Sequence, residues 1–112
     1  MAVNHQSSPF GTQSRTRVLL ALQLLDESYA RELSRVLEMP LSNVQKALRT
    51  LEIDGLVAAR AVGRTRVFRL NPRYFARKAL QAFLARLVEP ENRLNASIES
   101  MRRRPRRTGK PL

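Results

Sequence analysis

The chain has 112 residues, 43% of them apolar, which suffices for one domain around one core and is too little for two of ordinary size. It has no cysteine and a single histidine, His5, which excludes disulfides, thiolate nucleophiles and metal sites built from sulfur or several imidazoles. Its 21 Lys and Arg against 9 Asp and Glu give a formal net charge of +12, a surface that favours a polyanionic partner.

Residues 1–11 are polar and read as a flexible leader, lacking the basic and apolar regions of a secretory signal. A first helix is predicted from Ser14, with Val18, Leu22 and Leu25 on its core face. Leu20 and Leu24 fall on the opposite side, which suggests a second subunit. The apolar stretch Val18 to Leu25, interrupted by Gln23, is less than half a membrane span, so a cytoplasmic protein without a membrane partner is expected. Asp26-Glu27-Ser28 breaks the pattern, and Ser28 is placed to cap a second helix carrying Ala30, Leu33, Val36 and Leu37. Tyr29, at the start of that helix, reads as either a core residue or a phosphate contact, with core the preferred reading. Met39-Pro40 ends the helix, because the residue before proline is pushed out of helical geometry.

After a tight turn, Ser42-Asn43-Val44-Gln45 reads as a capping box that starts a third helix at Asn43. This helix buries Val44, Ala47, Leu48 and Leu51 and stops at Asp54-Gly55, where glycine adopts a left-handed cap without a Cβ clash. Residues 56–60 and 65–70 then read as two strands joined around Ala61-Val62-Gly63-Arg64. Asn71-Pro72 is predicted to open a fourth helix with a stripe of Ala76, Leu80, Phe83, Leu84 and Leu87. Glu89-Pro90 ends it. Leu94, Ile98 and Met101 mark a short helical extension over 89–101, and 102–112 is a basic tail expected to be disordered when free.

Helix, helix, tight turn, helix, hairpin, helix is a mainly α arrangement with a small β-hairpin, the winged helix-turn-helix, here over 12–88 with its dimerisation helices included. The segments Tyr29 to Leu33, Leu41 to Leu48, Leu51-Glu52-Ile53-Asp54-Gly55-Leu56-Val57 and Gly63 to Pro72 together resemble the ArsR-type winged-helix transcriptional regulators. That resemblance implies a homodimer formed through the first and last helices, acting as a repressor at promoters. Many such regulators sense metals through Cys or His; with neither outside the leader, no metal and no cofactor is expected here. Phe10-Gly11 and the wing ending in Asn71-Pro72 are also similar to winged-helix modules that precede small nucleotidyltransferase domains.

On the third helix, Ser42, Asn43, Gln45, Lys46 and Arg49 are the candidate DNA contacts. Gln suits bidentate pairing with adenine and Arg with guanine, while Ser and Lys suit phosphate. Ile53 also falls near this polar face, and the sequence offers no physical account of it. In the wing, Arg60, Arg64 and Arg66 have no compensating acid nearby in sequence and are assigned to backbone or minor groove, whereas Arg69 reads toward the helix side. Leu20, Leu24, Phe83, Leu84 and Leu87 are assigned to the dimer interface. Arg102, Arg103, Arg104, Arg106, Arg107 and Lys110 are assigned to a nonspecific nucleic-acid arm.

Catalysis is the weakest class: Glu27, Glu32, Glu38, Glu52 and Asp54 lie at helix ends or surface positions that capping and solvation explain. The sequence therefore reads as a sequence-specific DNA-binding regulator whose partners are double-stranded DNA and a second copy of itself. The competing readings are an adaptor or antitoxin-like module with a protein partner, and an RNA-binding winged helix. An RNA reader calls for exposed aromatics, but Tyr74, Phe75 and Phe83 lie in or beside a core stripe and Phe68 in a strand pattern.

Overall fold

The computed structural model describes residues 8–103, with side chains through Met101. Its elements follow the order α1 (Gln13–Leu25), β1 (Ser28–Tyr29), α2 (Ala30–Leu37), α3 (Leu41–Ile53), β2 (Val57–Val62), β3 (Thr65–Leu70), α4 (Arg77–Val88) and α5 (Asn92–Arg103). This is the winged helix expected, with a three-stranded antiparallel sheet of order β1-β3-β2 in place of a bare hairpin. Among the described residues no helix is long and apolar enough to cross a membrane.

α1 is the hub. Thr12 caps it, its Oγ1 accepting from the Arg15 amide at 3.2 Å, and the consecutive residues Val18, Leu19, Leu20, Ala21 and Leu22 are all buried. A helix buried all round needs cover on every side. Here α3, α4, α2, β3 and α5 supply it. Leu20, predicted to face a second subunit, is thus 4% exposed within a single chain. The sequence shows that α1 is apolar on two sides but not that α4 and α5 return to cover the second.

Ser28 does not cap α2. It lies in β1 opposite Phe68, its Oγ donating to Glu32 Oε1 at 2.6 Å, and the cap position falls on Tyr29, which makes no side-chain cap bond. The predicted capping box at Ser42 and Gln45 is also absent. α3 starts earlier, at Leu41, with Pro40 as its cap residue, and the Pro40 carbonyl accepts from the Asn43 and Val44 amides at 3.0 and 3.2 Å. A cap residue needs an extended backbone and a free carbonyl, and proline supplies both without a side-chain bond.

The far end of α3 is as expected. Gly55 has φ +82°, its amide reaches Glu52 O and the Leu56 amide reaches Leu51 O, both at 3.0 Å, the paired bonds of a Schellman closure. The hairpin is tighter than predicted, because β2 continues to Val62 and pairs it with Thr65, leaving a two-residue turn at Gly63-Arg64. Positive φ occurs at Gly63 but not at Arg64, as a II′-type turn requires.

Asn71 does not open α4, which begins only at Arg77. It fastens the base of the wing instead: its Nδ2 donates to Gly55 O and its Oδ1 accepts from the Arg73 amide, both at 2.9 Å. Asn71→Ala leaves the Gly55 carbonyl unmatched, and a loss of about 1–2 kcal/mol of unfolding free energy is expected in urea titration, with an unchanged midpoint as the contrary result.

Beyond α4, the Asn95 Nδ2 donates to Val88 O and Glu91 O, turning the chain so that Leu94 and Ile98 of α5 bury onto the core. Arg93 then bridges to Glu38 Oε1 at 2.7 Å, tying α5 to the end of α2. Residues 8–11, assigned by sequence to the leader, are also tied to the fold: Ser8 shares a hydrogen bond with Thr16, and Phe10 packs against the core and stands 5.8 Å from the Phe83 ring.

Candidate nucleic-acid interface

α3 separates its faces by helical spacing. Val44, Ala47, Leu48 and Leu51 are buried, while Ser42, Asn43, Gln45, Lys46 and Arg49 are all exposed. Gln45, Arg49 and Glu52, spaced four and three, border a cleft of about 590 Å³ whose other walls are Tyr29 and Arg31 from the start of α2 and Arg64, Thr65 and Arg66 from the wing. Phe68 and Leu48 form its apolar floor. The cleft is thus a concave strip where the second helix, the third helix and the hairpin meet.

The register of the wing sorts its arginines. Cross-strand partners share a face, so Phe68 with Ala59, Leu70 with Val57 and Arg66 with Ala61 lie on the inner face, and Arg60 with Val67 on the outer one. Arg66 accordingly reaches α3, its Nη2 donating to Glu52 Oε2 at 2.9 Å while its guanidinium sits 5.4 Å from the Phe68 ring centroid. Arg60 turns away and pairs with Glu27 at 2.8 Å. Both pairings correct the expectation that these arginines lack an acid, because Glu27 and Glu52 are distant in sequence and meet the hairpin only when it folds back. Arg64, at the turn, has no ion pair or hydrogen bond among the described residues.

Arg69 also lies on the outer face, where it lines a second cleft of about 510 Å³ with Gln23, Asp26, Glu27, Arg77 and Gln81. Arg15 is held in the fold: its Nε donates to Phe10 O and its Nη2 to Asp54 Oδ2, both at 2.7 Å. Ile53 is 75% exposed beside the polar stripe.

Sequence reasoning missed Arg31 and Glu52. Glu52 could have been found, since it continues the Gln45–Arg49 spacing by one more step. Arg31 could be found only through the tertiary arrangement, which sets the start of α2 beside α3.

Of the residues assigned to a dimer interface, Leu20 and Leu84 are buried at 4% and 0% exposure, Leu24 and Leu87 are half-buried, and Phe83 is 45% exposed. Leu84 joins the core with Leu80 and Val88 on the buried face of α4, Leu87 packs against that core at its edge, and Phe83 is left exposed. Arg102 and Arg103 belong to the backbone of α5, their side chains outside the described set, and Arg104, Arg106, Arg107 and Lys110 lie beyond the described residues.

No curated protein matches the sequence significantly. Solved structures do match in fold. A point mutant of Lactococcus lactis ZitR superposes with a TM-score of 0.57 at 20% identity, over 80% of this chain and 59% of that one. The adhesin competence repressor AdcR of Streptococcus pyogenes gives 0.57 at 17% identity, over 83% of this chain and 67% of that one. A MarR-family transcriptional regulator from Silicibacter pomeroyi gives 0.55 at 24% identity, over 80% of this chain and 56% of that one. The chain thus spans little more than half to two thirds of the length of these proteins. The family model described as "sugar-specific transcriptional regulator TrmB" matches residues 12–74, a span that holds the segments behind the ArsR-type resemblance. That span is more than half of the 112 residues, and the chain belongs to the TrmB family of winged-helix transcriptional regulators.

Proposed function

We propose that this protein is a sequence-specific DNA-binding regulator that lays α3 in the major groove and sets its wing against the backbone or adjacent minor groove. The observation that carries this reading is the single concave strip on which Gln45 and Arg49, exposed and unpaired among the described residues, stand between the cations Arg31 and Arg64. Forked side chains at one-turn spacing suit base edges, and flanking cations suit the two phosphate ridges. Selecting bound duplexes from a random pool tests the reading, with an enriched motif as the expected outcome. Absence of any motif, with a protein recovered from binding assays instead, overturns it in favour of the adaptor.

The ArsR-type resemblance adds the finer picture of a repressor acting as a homodimer on a palindromic site. Phe83, exposed on α4 beside Phe10, supports α4 as the surface of contact. Half-sites then lie a whole number of helical turns apart, about 34 Å per turn.

The basic tail adds sequence-independent grip. A chain ending at Met101 is expected to retain its preferred motif while the slope of log K against log salt flattens by about 0.9 for each phosphate that the tail had neutralised. Loss of motif preference in the shortened chain is the contrary result.

A further inference from the structure

Among the residues that line the α3–wing cleft, Glu52 is the sole acid. It sits at the wing end of the recognition face, and its carboxylate is 2.9 Å from Arg66, with side-chain exposures of 33% for the glutamate and 59% for the arginine. We propose that Glu52 is a specificity-determining residue, whose charge occupies Arg66 in the free protein and penalises DNA that offers only phosphate. This rests on the cleft being the DNA interface.

A chain with a formal charge of +12 binds any polyanion, so discrimination needs something that random duplex cannot satisfy. A carboxylate on the reading face does this. It repels phosphate, and the partner it holds is a cation that would otherwise release a counterion from the duplex. An ion pair this exposed is held loosely and is readily exchanged. On a cognate site the carboxylate meets a base-edge donor, the cytosine N4 amino group, which is the base group that suits Glu. Arg66 is then released to phosphate. Random sequence gives the carboxylate no such donor, so the Glu52 charge is either left facing the duplex or kept on Arg66, and in the second case one phosphate goes without its cation.

The test titrates wild type, Glu52→Gln and the double variant Glu52→Gln with Arg66→Gln against selected and scrambled duplexes over a salt series, with thermal melting to confirm that each remains folded. Glu52→Gln is expected to bind scrambled DNA about three- to tenfold more tightly near 0.1 M salt and to steepen the slope by about 0.9, one phosphate's worth. The selected duplex should gain nothing, so the ratio between the two falls. In the double variant the slope on scrambled DNA should return to that of wild type. Unchanged scrambled affinity and slope in Glu52→Gln overturn the proposal, as does a weakening on both duplexes, which marks a pair that merely holds the wing. If wild type itself shows no salt-dependent binding to duplex, the DNA interface fails first and Glu52's role with it.

Discussion

Leu20→Glu is expected to abolish the folded domain rather than to separate two subunits. The side chain is 4% exposed in the middle of α1, and the helix is covered on all sides. The substitution gives up about 1.5–3 kcal/mol of apolar burial and adds several more for a carboxylate without a buried partner. Whole-domain stability is only about 5–15 kcal/mol, so little or none remains. Circular dichroism should show no cooperative melting. Phe83→Glu, on the exposed side of α4, is the informative companion: it should keep the fold and, if α4 joins two copies, shift light scattering from dimer to monomer. A cooperatively melting, monomeric Leu20→Glu would contradict the packing described for α1.

Gln45→Ala and Arg49→Ala should each cost about 1–3 kcal/mol on the selected duplex, roughly 5- to 150-fold in affinity, with much less effect on scrambled DNA. Both side chains are exposed on the strip and neither supports the core, so the weakening should come without a change in melting temperature. Arg64→Ala should weaken both duplexes by a similar factor and reduce the salt slope by about 0.9, as expected for a cation at the turn that touches backbone alone. Titration of all three variants on both duplexes separates reading from gripping. A uniform weakening from the α3 variants, or a site-selective one from Arg64→Ala, moves sequence readout to the wing.

What was legible in the sequence is what local chemistry decides. Leu33, Val36 and Leu37 at helical spacing marked α2, Gly55 marked the end of α3, and the exposed stripe from Ser42 to Arg49 followed from the buried one opposite it. What was illegible depends on segments that meet from afar. The second side of α1 is filled by α4 and α5, more than fifty residues away in the chain, and no periodicity within α1 distinguishes that cover from another subunit. The partners of Arg60 and Arg66 lie 33 and 14 residues away, so two of the wing's cations looked uncompensated until the hairpin was folded. At Ser28, Ser42 and Asn71 the residue types did favour caps. There the competing bonds of Ser28 to Glu32 and Asn71 to Gly55, and the free carbonyl of Pro40, decided the local structure instead.

The alternation along β3 carries a constraint on length as well as on identity. Its inner face presents Arg66 and Phe68, its outer face Val67 and Arg69, and the pairing of Val62 with Thr65 across two turn residues sets which is which. Side chains repeat every second residue, so one residue inserted into or deleted from the Gly63-Arg64 turn would exchange the two faces of one strand relative to the other. The alternative to that exchange is a bulge. Slipped in this way, β3 would turn the Phe68 ring to the outer face, carry Arg69 into the apolar inner row, and leave Val67 or Thr65 opposite Ala61, where Arg66 now reaches Glu52. Substitution at Arg64 changes one contact; a change in the number of residues around it rewrites the charge pattern of the wing.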